Sequence, residues 1–383
     1  MSKRTKQIIG ISVFLTIILG FSVANVVVGD RAFSENENRT LAQLPEFTIE
    51  DLLEGDFTKE FEAYTTDQFP LRDGWVYLKA NADYAVQKHE TNGVYFADDH
   101  YLIQKFSEQE LDRKRLEANV EHLSTFVNRC AESLGAEHVR AMIVPTAAYV
   151  LEDKLPSFAP TVNQNAILED MASRMPEGVF LNETQTLKAQ NDRQIYYRND
   201  HHWTTGAAYL AYRDWCESIG LEPWAEDDFE IETVSEDFLG TTYSKGNYLG
   251  VKPDSIQIYQ PKRDMGYTVD INQGKKKGDS LYNFEHLETK DKYATFLDGN
   301  NAVTVIKTNA DSDRKLLVLK DSYAHCFVPF AVNHFSEVDV LDLRYYAQKT
   351  PRAYMEENGI TDVLVLYNLE TFSADNNLGS LDL

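Results

Sequence analysis

The chain is poor in several residue types, and each shortage removes a class of protein. Among 383 residues there are three cysteines, Cys130, Cys216 and Cys326. They are odd in number and widely spaced, so they make neither a disulfide framework nor a zinc pattern. They read as buried small apolar residues. Positive charge is scarce: 37 Lys and Arg stand against 61 Asp and Glu, a formal net charge of −24. No basic stripe is present to neutralise phosphates, which excludes nucleic acid as the expected partner. The same deficit argues against an anionic membrane surface as the main docking site. A soluble, self-repelling acidic exterior is the simpler meaning. There is no internal repeat and no low-complexity segment. Metal-ligating side chains cluster only at Asp200-His201-His202, with Asp321 as the one obvious distant partner. A metal there stays open as a minor reading, and neither metal nor cofactor is expected.

What is present begins at the N-terminus. Lys3, Arg4 and Lys6 precede an apolar run over 8–28. About twenty apolar residues suit a membrane span, and the basic flank predicts a cytoplasmic N-terminus with the rest of the chain outside. Residues 1–29 are therefore expected to be a signal anchor. The alternative is a signal peptide cut after Ser22-Val23-Ala24, which would leave Asn25 first. The anchor is preferred because apolar character continues through Val26-Val27-Val28.

Residues 30–106 read as a spacer followed by a helical and hairpin region that packs on the main domain. Helices are expected near 50–67 and 71–88, separated by Phe69-Pro70. Asn92-Gly93 and Asp98-Asp99 are turn signals around Val94-Tyr95-Phe96 and Tyr101-Leu102-Ile103, which predicts a hairpin. Residues 107–383 read as an α/β domain. A helix over 107–134 has a capping box in Ser107 and Glu110 and a stop at Gly135. Leu116, Val120, Leu123, Phe126, Val127, Cys130 and Leu134 recur on its core face. Apolar strands are expected at 139–144, 179–181, 303–308, 316–319, 338–343 and 363–367, and a helix at 205–218. Continuous apolar strands between helical patterns predict a parallel sheet flanked by helices. Residues 221–300 are rich in turns and read as insertions over the strand ends.

Two strings carry chemistry. Asp200-His201-His202-Trp203 stands just ahead of the 205–218 helix, and Lys320-Asp321-Ser322-Tyr323 just after the 316–319 strand. A serine at the carboxyl end of a buried strand, with an acid and a histidine elsewhere, is what nucleophilic acyl transfer needs. Asp-x-His can aim both side chains at one site if the backbone is extended there, with His201 pointing away. The plainer alternatives are that Ser322 caps a helix, that Asp200 caps the following turn, and that either histidine is a packed polar residue. Trp203 reads as a core or pocket-wall aromatic.

These two strings together resemble the bacterial DHHW family, related to the alginate O-acetyltransferase proteins of the SGNH/GDSL hydrolase-like superfamily. Further segments carry the likeness: Glu37-Asn38-Arg39-Thr40-Leu41, Phe69-Pro70-Leu71-Arg72, Asn92-Gly93-Val94-Tyr95 and Val144-Pro145-Thr146 before the second half of the chain, then Gly240-Thr241-Thr242-Tyr243-Ser244, Gly299-Asn300-Asn301 and Asp342-Leu343-Arg344-Tyr345-Tyr346. The resemblance implies an SGNH-hydrolase-like sheet with permuted motif order, Asp-x-His before the serine, behind one N-terminal transmembrane helix. It implies Ser322 as nucleophile, His202 as base and Asp200 as the orienting acid. Lys320 stands where a Gly-Asp-Ser string has glycine. The Ser322 backbone N–H, Tyr367, Asn368 and Asn300 are candidate oxyanion donors, and Tyr323 and Trp203 candidate lining residues. The implied activity is O-acyl transfer, with acetyl the foremost acyl group, or ester hydrolysis on a cell-surface polysaccharide. A membrane-bound O-acyltransferase is the implied partner. The rival expectation is a non-catalytic glycan-binding or assembly protein.

Overall fold

The computed structural model describes residues 2–34, 39–190 and 192–382. Part of the Glu37-Asn38-Arg39-Thr40-Leu41 segment falls outside them. The chain forms two compact units, Met1–Gln87 and Lys88–Leu383.

The first unit opens with α1 (Lys3–Val27), an exposed helix long and apolar enough to cross a membrane. A two-residue pair, β1 (Phe33–Ser34) and β2 (Arg39–Thr40), follows. Then come α2 (Ile49–Glu54), α3 (Asp56–Asp67) and α4 (Arg72–Ala85). The helix expected over 50–67 is broken at Gly55, whose φ of 90° a side chain would resist.

The second unit starts with a three-stranded antiparallel sheet, β3 (Glu90–Thr91), β4 (Val94–Phe96) and β5 (Leu102–Gln104). Asn92 and Gly93 both take positive φ, 46° and 76°, as a tight hairpin turn requires. This sheet groups with the α/β unit, not with the preceding helices as the 30–106 boundary supposed. The reason is packing: Val94 and Leu102 bury against Tyr248, and the Leu102 amide bonds the Arg198 carbonyl.

The helix expected from Ser107 begins six residues later, as α5 (Arg113–Leu134), capped by Asp112, whose side chain accepts the Arg115 amide at 3.0 Å. Ser107 and Glu110 do pair, at 2.7 Å, but they close a separate turn. Gly135 ends the helix at φ 98°. After it the chain runs β6 (Val139–Val144), α6 (Ala147–Val150), α7 (Gln164–Ser173), β7 (Phe180–Leu181), α8 (Thr184–Lys188) and α9 (Thr205–Ser218). Next come β8 (Phe229–Phe238), α10 (Thr241–Gly246), β9 (Asp254–Pro261), β10 (Thr268–Ile271), β11 (Lys276–Gly278) and β12 (Val303–Lys307). The chain closes with β13 (Lys315–Lys320), α11 (Val328–Ala331), β14 (Glu337–Leu341), α12 (Pro351–Asn358), β15 (Asp362–Asn368) and α13 (Leu369–Ala374).

Eight strands form the main sheet in the order β11-β10-β12-β14-β13-β15-β6-β7. The five from β14 to β7 are mutually parallel. The other three are antiparallel, so the sheet is mixed, a correction to the wholly parallel sheet expected. The cause lies in the connections. Only residues 308–314 join β12 to β13, fewer than the dozen or so a parallel crossover needs. Residues 221–300 are likewise more than insertions: they supply the antiparallel β8–β9 pair and the last two strands at one end of the main sheet, β10 and β11.

Alternate strand residues feed two cores. Met142, Val144, Leu316, Val318, Leu364 and Leu366 pack with the α9 side chains Ala208, Tyr212 and Trp215. Val139, Ala141, Ile143, Leu317, Val363 and Val365 pack with the α5 face at Leu116, Val120, Leu123 and Val127. All three cysteines are free and buried. The sheet is therefore covered on both faces, and its open surface lies at the strand ends, where both chemistry-bearing strings emerge.

Candidate active site

Ser322 follows β13 by one residue and opens a 3-10 turn, Ser322–His325. It does not cap that turn. Asp321 does, its Oδ1 accepting the Tyr323 amide at 2.8 Å while Oδ2 accepts the Asn368 amide at 2.8 Å. After this turn come the short α11 and a second 3-10 turn, and Pro329 sits in the first turn of α11 where its missing N–H costs nothing.

The 199–203 loop brings a histidine to Ser322. His202 Nε2 lies 2.7 Å from Ser322 Oγ, and His202 Nδ1 lies 2.5 Å from Asp200 Oδ1. Asp200 also accepts the His202 amide on Oδ1 at 2.9 Å, and the Thr241 amide and hydroxyl on Oδ2 at 2.7 and 3.0 Å. Burial alone would raise this carboxyl. The two histidines, the bond to His202 and the Thr241 amide outweigh it and hold the group well below the usual carboxylate range. An ionised Asp200 accepts, so Nδ1 carries a proton and Nε2 is left to accept from the serine hydroxyl. Thr204, not Asp200, caps α9, accepting the Ala207 amide at 3.3 Å.

His201 does not point away, as Asp-x-His alternation suggested. Its ring packs 3.9 Å from that of His202, and its Nδ1 lies 2.6 Å from Thr241 Oγ1. Because that hydroxyl donates to Asp200, His201 donates to it in turn. Burial, then the neighbouring His202, pushes the His201 imidazole down to about 3, so it stays neutral. The backbone explains the departure: the loop bends so that the His202 amide returns to Asp200, and it is not an extended strand.

The two strings are pinned to each other at further points. Trp203 Nε1 donates to the Tyr323 carbonyl at 2.9 Å, and the Tyr323 hydroxyl donates to the His201 carbonyl. Trp203 is fully buried, in keeping with its reading as a core aromatic. Asn368, at the end of β15, shares a small cavity of about 10 Å³ with Asp200, His201, Tyr323 and Glu370. Its Oδ1 caps α13, and its buried Nδ2 has no hydrogen-bond partner among the described residues. Tyr367 is not brought to Ser322. Its ring lies in the other core, against Phe372, because neighbouring strand residues face opposite ways. Asn300 is exposed and accepts from Arg344 at 3.3 Å.

Several residues at the site carried no sequence signal of what they touch. Tyr293 stacks on His202 with ring centroids 3.9 Å apart, and its hydroxyl reaches the Ser322 carbonyl at 3.3 Å. Gly240 lies so close to Asp200 that an added Cβ would meet Oδ2 at 2.2 Å, which makes glycine obligatory there. Behind Ser322, Lys320 Nζ bonds Asp342 Oδ2 at 3.0 Å and His325 Nε2 at 2.8 Å, and Arg344 closes on Asp342 from the other side. Lys320 thus has a structural reason to replace glycine: it neutralises a buried carboxylate. The glycine and the Asp-Leu-Arg segment were visible in the sequence as shared strings, but nothing there told what they touch.

Residues 115–341 match the family model described as DHHW protein. The chain belongs to the DHHW family. A DHHW family protein from Eubacterium siraeum is similar in structure, with a TM-score of 0.63 and 26% identity over 76% of this chain and 95% of that one. PatB1 of Bacillus cereus, solved with a sulfonyl adduct, shares the α/β fold at a TM-score of 0.61 and 22% identity, over 74% of this chain and 98% of its own. In sequence the chain is 23% identical over 224 residues to a probable alginate O-acetylase AlgJ of Pseudomonas fluorescens. It spans about half the length of that curated relative, 53%, and 56% of this DHHW chain is matched.

Proposed function

We propose that this DHHW protein is an O-acyltransferase or esterase of SGNH-like type, with acetyl as the acyl group and a cell-surface polysaccharide as acceptor. The observation that carries the reading is one imidazole bonded to a serine hydroxyl at 2.7 Å on one nitrogen and to a buried carboxylate at 2.5 Å on the other. In the proposed reaction Ser322 Oγ attacks the acyl carbonyl while His202 Nε2 takes its proton. The Ser322 amide and Asn368 Nδ2 are the proposed donors to the oxyanion. Collapse expels the donor's oxygen with the proton from His202 and leaves an acyl-serine. A glycan hydroxyl, or water, then gives its proton to His202 and takes the acyl group, restoring Ser322.

The distant relation to AlgJ supports the acyl class. We further propose that a membrane-bound O-acyltransferase supplies the acyl group across the membrane. The apolar α1 fits either an anchor or a cleaved signal; we favour the anchor, with the α/β unit outside the cell. The reading is tested by acyl-ester release and transfer to a polysaccharide acceptor by the purified protein and its Ser322→Ala variant. Equal activity of the two would leave a non-catalytic glycan-binding or assembly role.

Metal provides a second test. The ligand atoms of Asp200, His201 and His202 lie within 4.8 Å of one another. A metal on His202 would occupy the lone pair that must take the serine proton, so the two mechanisms exclude each other. Chelator is expected to leave activity unchanged, and a serine-directed organophosphonate to label Ser322. Activity lost to chelator and restored by zinc or manganese, without labelling, would overturn the serine mechanism.

A further inference from the structure

The first unit carries its apolar side chains outward. Leu71, Trp75 and Leu78 recur at helical spacing along the start of α4, and all three are exposed. Leu71 is 80% exposed and sits at φ 59°, a conformation a leucine adopts at a cost. An exposed apolar side chain on a strained backbone gains nothing for folding, which directs attention to what it meets outside. The patch continues into α1: Phe21 stacks on Phe69 at 5.4 Å and meets Trp75 at 5.8 Å. The Trp75 indole N–H is already satisfied by the Pro70 carbonyl at 3.2 Å, so the ring has no polar atom left to hydrate.

We infer that the apolar face formed by residues 69–78, at and just ahead of the start of α4, together with Phe21, lies in the outer interfacial layer of the bilayer that α1 crosses. The inference rests on the anchor reading above. Depth supports a lipid occupant: Phe21 lies six residues before the end of α1 at Val27, about 9 Å along the axis. Interfacial helices bury their apolar face roughly 5–10 Å. Trp75 would then sit where tryptophan is enriched, at the headgroup level. The cations in and beside the patch are matched by acids, Arg31 with Asp73 at 3.5 Å, Arg72 with Asp67 at 4.0 Å and Lys79 with Asp83 at 3.0 Å, and Glu50 and Asp51 in α2 add negative charge, so no net attraction to anionic headgroups is left. Docking is therefore by apolar insertion, into zwitterionic lipid as readily as anionic.

The test uses the full chain in nanodiscs of phosphatidylcholine brominated near the headgroup end of its acyl chains. Trp75 is read as the difference between the protein and Trp75→Phe, since Trp203, Trp215 and Trp224 are buried in the other unit. The expected result is a loss of the Trp75 emission on bromination. Intact mass reports separately whether α1 is retained. Unquenched Trp75 in a chain that retains α1 overturns the inference, and a second copy or a membrane protein covering the patch would give that result. Cleavage before Asn25 would instead mean that the anchor reading has failed. The processed chain then carries the test by flotation with phosphatidylcholine vesicles. Flotation that Leu71→Asn with Leu78→Gln abolishes supports the patch, and absence of flotation overturns it. Asparagine suits the left-handed backbone at 71, so that variant keeps its fold.

Discussion

Two buried aspartates flank the candidate site, and they behave in opposite ways. Asp200 and Asp321 are both withdrawn from water, and each accepts two backbone amides. Asp200 also receives the His202 ring and the Thr241 hydroxyl, and its carboxyl is held low. For Asp321, burial dominates over the more distant Arg344 and the two amides, and its carboxyl is raised. The difference teaches that burial alone does not make a carboxylate an electrostatic partner. Asp200 holds the His202 ring in place. Asp321 ties the Ser322 turn to the end of β15.

The largest expected effect comes from cutting the line that Asp200 serves. Ser322→Ala and His202→Ala should each lower turnover by at least about 10³-fold, and the double variant should be little worse, because members of one catalytic unit do not add. Full additivity in steady-state kinetics would break the unit. The comparison itself is sharpened by Asp200→Asn beside Asp321→Asn. Each places an amide against a backbone N–H and should cost about 1–3 kcal/mol in stability. Only Asp200→Asn should also lower kcat, by roughly 10²–10⁴-fold at a temperature where both remain folded. Comparable kcat losses in the two would mean that Asp321 shares the electrostatic role.

His201→Ala should cost about tenfold, through loosened packing of His202, since small misplacements of a reacting group carry such costs. A loss as large as that of His202→Ala would make His201 a participant. The smallest expected effect lies away from the site. Burial, opposed by the Tyr354 hydroxyl bond, raises Asp339 in β14 to about 6. A folded-state value above the unfolded one means that stability falls as pH rises from about 4 to about 6. Asp339→Asn, which keeps an acceptor for Tyr354, should therefore raise stability by about 1–2 kcal/mol above pH 6 and by nothing below about pH 4. Denaturation midpoints at the two pH values check the sign.

Much of the α/β unit was legible because its signals are local. The buried strands at 139–144, 316–319 and 363–367 are continuous apolar runs, and α5 and α9 have regular core faces ended by Gly135 or followed by Gly220. The antiparallel edge was not legible, since strand direction depends on connection length and on neighbours distant in sequence. The site divides in the same way. Residue types and spacing singled out Ser322, His202 and Asp200, and strand position put the serine at a carboxyl end. The orientation of His201, the stack of Tyr293 and the place of Asn368 Nδ2 in the small cavity had no periodic or compositional trace.

The sequence by itself determined a chain with one long apolar N-terminal helix, an excess of acidic residues, and two short strings, Asp200-His201-His202-Trp203 ahead of an α-helix and Lys320-Asp321-Ser322-Tyr323 behind a β-strand. Only the tertiary structure decided that those strings meet. Residues 202 and 322 come within hydrogen-bond reach because the 199–203 loop bends back on Asp200, Gly240 leaves room for that carboxylate, and Trp203 fastens the loop to the Tyr323 carbonyl. The last two are contacts between segments far apart in the chain. Such contacts depend on the shape of the packed sheet and loops, which no local pattern of residues records.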